Sequence, residues 1–153
     1  MKLFKLLLVF GLFASYTCQA QSELNDQQKE AVKNEVRQFM KNLDAAASAA
    51  NEQAYANMFV QTDELAVASQ GKIFDSFETV RDTVHAHLSV MEKQIIKTID
   101  EKIYVIDKEH AVITTSKDTK ATLKNGAEFE MPYVLTMLLV KKNGQWKIVH
   151  YHN

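Results

Sequence analysis

Two histidines near the carboxyl terminus, His150 and His152, are the first side chains whose spacing suggests chemistry. Residues two apart on a β-strand point to the same side, so Trp146 and Ile148 are expected to share that side. The pattern favours two imidazoles that continue an apolar face, either as polar groups of a pocket or as structural or surface histidines. A zinc-type site needs a third ligand, commonly another histidine or a carboxylate, and the sequence offers no obvious one. No metal site is therefore predicted.

Two further histidines, His85 and His87, lie two residues apart in a predicted helix. Side chains at that spacing point about 200° apart around a helix, so the two rings cannot bind one metal ion. His85 flanks the apolar stripe of the helix and is the ring that would reach a pocket. The alternative is a pair of partly solvated helical histidines.

Tyrosines and methionines are the side chains best suited to line a pocket. Tyr55, Tyr104 and Tyr133 each combine an apolar ring with a hydroxyl, and a buried tyrosine hydroxyl usually finds a hydrogen-bond partner. Met58 supplies an adaptable apolar surface. Together with the two terminal histidines, these four residues are the predicted ligand-binding set. The alternative is that they are ordinary core side chains with hydroxyls at the rim.

The composition excludes several classes of function. The formal net charge of −1 gives no electrostatic case for binding nucleic acid or an anionic membrane. A single cysteine excludes a disulfide framework and a cysteine-based zinc site. The phosphate-binding, dinucleotide-binding, metalloprotease and serine-hydrolase motifs (GxxxxGK[ST], GxGxxG, HExxH and GxSxG) do not occur. No cofactor is predicted.

The first twenty residues have the layout of a secretory signal peptide. Met1–Lys5 carries two lysines, Leu6–Ala14 is an unbroken apolar run, and Ser15–Ala20 ends in small residues. The apolar run is too short for a transmembrane helix, which needs about 20 residues. Cleavage after Ala20 would give a periplasmic or secreted protein of residues 21–153 with no cysteine and no membrane segment. Lipidation at Cys18 is an alternative, but the preceding residues match a lipobox poorly.

Residues 21–153 are predicted to form one α+β domain, with three helices followed by a curved antiparallel sheet. Helices are expected to begin after Asn25, Asn51 and Ser76, which can act as N-caps. A short strand is expected at Glu64–Ser69. The hydrophobic period then changes from 3.6 to 2. Four strands are predicted at Ile95–Ile106, Ala111–Leu123, Glu128–Lys142 and Gln145–His152. Asn-Gly turns are expected to join the second strand to the third and the third strand to the fourth.

The strand predicted at 128–142 is apolar on both faces. Val134, Leu138 and Val140 alternate with Leu135, Met137 and Leu139. Helices can cover only one face of the sheet, so the other face is either solvated or covered by a second copy of the chain. We therefore expect a homodimer that forms through the sheet.

The order of elements and the last strand resemble the SnoaL-like domains of the nuclear transport factor 2-like superfamily. The matching segments are a long first helix ending in DAAASAANEQAYANMF, a third helix FDSFETVRDTVHAHL and the tail NGQWKIVHYHN. The chain also looks like the association domain of calcium/calmodulin-dependent protein kinase. The resemblance implies a cone of three helices wrapped by a bent sheet, with a pocket inside. We expect an exported domain that binds a small, largely apolar molecule.

The same resemblance implies two alternatives, because this fold hosts both enzymes and assembly domains. One is a cofactor-independent acid–base enzyme of the isomerase, dehydratase or cyclase type. Ketosteroid isomerases of this fold use a pocket aspartate as base, and Asp63 is its closest positional match here. Such an enzyme would use His150 as base, Tyr133 as hydrogen-bond donor and Asp63 as second acid. The other alternative is an oligomeric hub.

Overall fold

The computed structural model describes residues 23–153. The predicted signal peptide and Cys18 lie outside the described residues. Within the described part, none of the helices is long and apolar enough to cross a membrane.

Helix α1, Asp26–Ser48, forms the spine of the helical layer. It begins as predicted, with a capping box in which Asn25 accepts from the Gln28 backbone and the Gln28 side chain accepts from the Asn25 backbone. Its apolar residues recur every three or four positions, so they form one stripe that faces the sheet. The buried members of that stripe are Val32, Val36, Phe39, Met40, Leu43, Ala46 and Ala47.

Two shorter helices complete the layer. Helix α2, Glu52–Ala56, is capped by the side chain of Asn51. Helix α3, Phe77–Leu88, is capped by Ser76, whose hydroxyl accepts from a backbone N–H in the first turn. All three predicted caps are therefore confirmed.

Six strands form one sheet with the order β2-β1-β6-β5-β4-β3. The α+β prediction is confirmed, but the sheet is mixed, because β1 pairs in parallel with β6. Strand β2 was not predicted, since three residues are too few to show an alternating pattern. The strands are β1 Ala66–Ser69, β2 Lys72–Phe74, β3 Met91–Val105, β4 His110–Leu123, β5 Glu128–Lys142 and β6 Gln145–His152.

The sheet has an inner face, which meets the helices, and an outer face. The pairing of β4 with β5 places Ile113 opposite Met137, and both side chains are fully buried on the inner face. Their neighbours alternate to the outer face, where Val134 is 58% exposed. The inner face thus supplies the sheet's part of the hydrophobic core.

A β-bulge in the last strand changes which residues face inward. Leu139 pairs with Ile148 and Leu138 pairs with His150, so Val149 is an extra residue on β6. Ile148 is fully buried on the inner face. After the bulge, Tyr151 pairs with the inward-facing Met137. The expectation that the terminal histidines share a face with Ile148 was therefore wrong.

Candidate functional site

A cavity of about 250 Å³ lies between the helices and the inner face of the sheet. Helix α1 contributes Leu43 and Ala47, and α3 contributes Val80 and Val84. Most of the remaining wall is also apolar, from side chains of β1, β2, β3 and β5 and of the α2 region. Ala47 leaves room for the cavity here because its side chain ends at Cβ. The volume is slightly below the usual range for drug-sized ligands.

An ion pair forms the polar centre of the wall. The Lys117 Nζ atom donates to Asp44 Oδ2 at 2.5 Å and to Thr98 Oγ1 at 3.3 Å. The Lys117 side chain is 1% exposed, whereas 23% of the Asp44 side chain is exposed. Burial raises the pKa of Asp44, although the Lys117 ammonium opposes that rise. Lys117 therefore lies behind Asp44, and the carboxylate is the more accessible member of the pair.

Strand register explains why these residues meet. Thr98, Lys117 and Tyr133 occupy one row across β3, β4 and β5, and all three belong to the inner side of the sheet. Asp44 lies on the face of α1 that carries Leu43 and Ala47. The pair thus links the helix to the middle of the sheet.

Three tyrosines line the same cavity as this ion pair. Tyr55, Tyr133 and Tyr151 all line the cavity, and burial raises the pKa of each hydroxyl. The negative charge of Asp44 further raises the pKa of Tyr55 and Tyr133. At neutral pH all three hydroxyls are therefore protonated and can donate hydrogen bonds.

Two further polar side chains line the cavity beside the ion pair. Gln94 is buried and donates to the backbone carbonyl of Ala47, so its amide supports the helix. Thr119 is 5% exposed, and its hydroxyl has no hydrogen bond of standard geometry among the described residues. It is still close enough to the Tyr133 hydroxyl to lower that group's pKa, against the larger effect of burial.

His87 also lines the cavity, at a position that is open to solvent. Partial burial lowers its pKa, so the ring is neutral at pH 7. His85, the ring expected to reach a pocket, instead bonds Glu52 of α2 at 2.6 Å. Among residues 23–153, no group of three or more histidine, cysteine or acidic residues is arranged to hold a metal ion.

The structure brings two of the predicted ligand-binding residues together. Tyr55 and Tyr133 both line the cavity. Met58 lies outside the lining and packs against the hydrophobic core. Asp63 is exposed in the loop before β1 and is not part of the cavity wall.

The other three predicted residues lie on the outer face. Tyr104, 69% exposed, belongs to a row that runs through Val112 and Leu138 to His150. His152 lies one row further along, opposite Thr136. None of the three lines the cavity. The bulge at Val149 explains why His150 and His152 face outward, since it reverses the alternation of β6 beyond Ile148.

Sequence reasoning missed the ion pair and Tyr151. A signal for Asp44 existed, because this charged residue lies four positions after Met40 and three before Ala47, within the apolar stripe of α1. A signal for Lys117 also existed, since it alternates in phase with the inward-facing positions of β4. No signal indicated Tyr151, because its orientation depends on the bulge.

Comparison with known proteins identifies the family. The model of the SnoaL-like domain matches residues 36–153. The chain belongs to this family. No curated protein matches the sequence. The match to the family model confirms the predicted resemblance.

Solved structures show the same fold at low sequence identity. A nuclear transport factor 2-like protein from Salmonella enterica serovar Typhimurium superposes with a TM-score of 0.73 at 17% identity, covering 81% of this chain and 90% of that one. A candidate scytalone dehydratase from Novosphingobium aromaticivorans gives 0.75 at 11% identity, covering 82% and 85%. The association domain of calcium/calmodulin dependent protein kinase II from C. elegans gives 0.66 at 19%, covering 84% and 98%. At these identities the likeness concerns the fold alone.

Proposed function

We propose that this SnoaL-like domain binds a small, largely apolar molecule in the cavity of its cone. The observation that carries the proposal is a void with mostly apolar walls and a minority of polar side chains, among them the Asp44–Lys117 ion pair. Such an arrangement is typical of small-molecule sites, in which apolar walls supply affinity and few polar groups fix orientation. The size of the void limits the ligand to a compact molecule.

A pair of tryptophan variants tests this proposal. Val84→Trp would fill the cavity from α3, whereas Val134→Trp places the same side chain on the outer face. We expect the first variant to abolish binding of an apolar fluorescent probe, and the second to bind the probe like the wild type. Equal binding by all three proteins would contradict the proposal. Mass spectrometry of small molecules that co-purify with the wild type, but not with Val84→Trp, would identify the natural ligand.

A second candidate function is a cofactor-independent acid–base enzyme. The observation that favours it is Asp44, a partly accessible carboxylate in the cavity whose pKa is raised by burial. A base in that position could remove a proton from a bound molecule. Among the residues predicted for such an enzyme, Tyr133 lines the cavity, whereas Asp63 and His150 do not. Deuterium exchange from solvent into a bound ketone, abolished in Asp44→Asn, would support catalysis.

We also propose that the protein is exported, with cleavage after Ala20. The support is the order of features in residues 1–20, a basic start, an apolar run and a small-residue cleavage site, which matches a secretory signal peptide. Mass spectrometry of the protein purified from its native cells should give a chain that begins at Gln21. A chain that begins at Met1, or one that is lipidated at Cys18, would contradict this proposal.

Finally, we propose a homodimer that forms through the outer face of the sheet. The support is the apolar row of Tyr104, Val112 and Leu138, together with the exposed Val134. Light scattering should give the mass of two chains. Val134→Lys should give one chain and leave probe binding unchanged, while Lys97→Ala, another outer-face change on β3, should remain dimeric. A wild-type monomer would contradict the proposal, and assemblies larger than a dimer would favour the hub.

A further inference from the structure

The side-chain charges of the cavity wall cancel. Among residues 23–153, the lining contains one carboxylate side chain, Asp44, and one ammonium, Lys117, and these two bind each other. Partial burial lowers the pKa of His87, which favours the neutral ring. A ligand with a net charge would therefore lose its hydration without meeting a side chain of opposite charge that is still unpaired. That loss is costly in a largely apolar cavity.

The hydrogen-bonding capacity of the wall is only partly used. Asp44 binds Lys117 through Oδ2, and within the described residues its Oδ1 atom makes no hydrogen bond. The hydroxyls of Tyr55 and Tyr151 also have no hydrogen-bond partner in that part of the chain. The wall thus offers one strong acceptor beside neutral donors. A hydroxyl group on the ligand suits both kinds of group, since it can donate one hydrogen bond to the acceptor and accept others from the donors.

We propose that the cavity selects an uncharged, compact apolar molecule with one hydroxyl group, which donates a hydrogen bond to Asp44 and accepts one from a tyrosine hydroxyl. This inference rests on the proposed function and narrows it to one ligand class. Lys117 acts as a positioning residue, because it holds the carboxylate in place without itself being accessible.

Three ligands with the same two-ring skeleton test the selection: naphthalene, 2-naphthol and 2-naphthoate. Calorimetric or fluorescence titration near neutral pH should show 2-naphthol binding about tenfold more tightly than naphthalene, the effect of one to two net hydrogen bonds. It should also bind at least about tenfold more tightly than 2-naphthoate, whose charge has no free partner. Equal affinities for naphthalene and 2-naphthol, or tightest binding of 2-naphthoate, would overturn the inference and leave the proposed function standing. Binding of none of the three would instead count against the proposed function itself.

Variants test the assigned roles. Asp44→Asn removes the negative charge and leaves the Lys117 charge unpaired, so the affinity for 2-naphthoate should rise about tenfold relative to the affinity for 2-naphthol. At least one of Tyr55→Phe, Tyr133→Phe and Tyr151→Phe should weaken 2-naphthol several-fold and leave naphthalene unchanged. Tyr104→Phe, on the outer face, is the matched control and should change neither.

Each variant outcome bears on the inference. An unchanged ratio of the affinities for 2-naphthol and 2-naphthoate in a folded Asp44→Asn variant would overturn the role of the ion pair. An unchanged affinity for 2-naphthol in all three cavity tyrosine variants would overturn the role of the hydroxyls. If Asp44→Asn does not fold, the tyrosine variants still decide, because they leave the ion pair intact.

Discussion

The inner and outer faces of the sheet are built from the same strands but have different contents. Lys117 and Thr119 face inward on β4, where they are buried with Asp44 and the cavity tyrosines. Lys120 belongs to the outer side of the same strand, where its side chain is 67% exposed and pairs with Glu130. Polar groups on the inner face therefore interact in a largely dry space, whereas charges on the outer face interact across water. The same type of ion pair should have very different consequences on the two faces.

Removal of one member of each ion pair should give the largest difference. Asp44→Ala leaves Lys117 buried and unpaired, which should lower the free energy of unfolding by about 3–5 kcal/mol. Glu130→Ala breaks the exposed outer-face pair with Lys120, which has an N–O distance of 3.1 Å, and should cost below about 1 kcal/mol. Urea denaturation measures both values. Similar losses in the two variants would show that the cavity is as well hydrated as the surface.

Truncation of apolar side chains on one strand should give the next largest difference. Met137→Ala removes a fully buried side chain of β5 and should cost about 2–5 kcal/mol. Val134→Ala changes an outer residue of the same strand and should stay within about 0.5 kcal/mol at low protein concentration. A larger cost for Val134→Ala that grows with protein concentration would instead report burial in the proposed dimer. Thermal or urea unfolding at two concentrations distinguishes these cases.

The pKa values of two carboxylates on α1 should be shifted in opposite directions by folding. Glu35 accepts hydrogen bonds from Lys141 at 2.5 Å and from the Trp146 indole at 2.9 Å, and the Lys141 bond lowers the pKa of Glu35 most strongly. Burial instead raises the pKa of Asp44. NMR titration should therefore place Glu35 below, and Asp44 above, the value for the unfolded chain. The opposite order would contradict the assigned environments.

The sign of the pH effect on stability follows for Glu35. Because the pKa of Glu35 is lower in the folded state, its carboxylate contributes fully to the free energy of unfolding above the unfolded pKa of about 4.3. That contribution is lost as pH falls through the pKa of the folded state. Glu35→Gln should cost roughly 0.5–1 kcal/mol at neutral pH, since half of the group is exposed. That cost should shrink as pH falls below about 4.3. Paired urea titrations of the variant and wild type measure it, and a constant difference would contradict the account.

The smallest expected effect concerns two neighbouring residues of β6. Tyr151→Phe removes a hydroxyl from the cavity and should alter the affinity for 2-naphthol if that hydroxyl is the donor. His150→Ala lies on the outer face and should leave cavity affinity unchanged within about twofold. A stronger effect of His150→Ala would show that the bulge at Val149 does not persist in solution.

Helix caps and hairpin turns were predictable from sequence because their signals are local. Asn25 and Ser76 each bind a backbone N–H within three residues. The turn at Asn143 and Gly144 requires positive φ at both positions, which are 52° and 76°. The strands on either side of that turn were accordingly predicted with the bounds that the structure shows.

Features that depend on distant pairing were not predictable in the same way. The parallel pairing of β1 with β6 brings Ala66 beside His150. These residues are so far apart in the sequence that no local pattern predicts their contact. The bulge at Val149 depends on how β6 pairs with β5, and it decides that Tyr151 faces the cavity. Asp44 and Lys117 are an intermediate case. Each interrupts a periodic apolar or inward-facing pattern, but their mutual contact appears only in the folded chain.

Methyl NMR with bound 2-naphthol tests the central claim, that the ligand site lies on the inner face, most directly. Leu135 and Val134 are adjacent on β5 and face opposite sides, which makes them internal controls for each other. The account predicts intermolecular nuclear Overhauser effects from the ligand to the methyl groups of Leu135 and Val84, and none to those of Val134. Contacts to Val134 without contacts to Leu135 and Val84 would place the ligand on the outer face and contradict the claim.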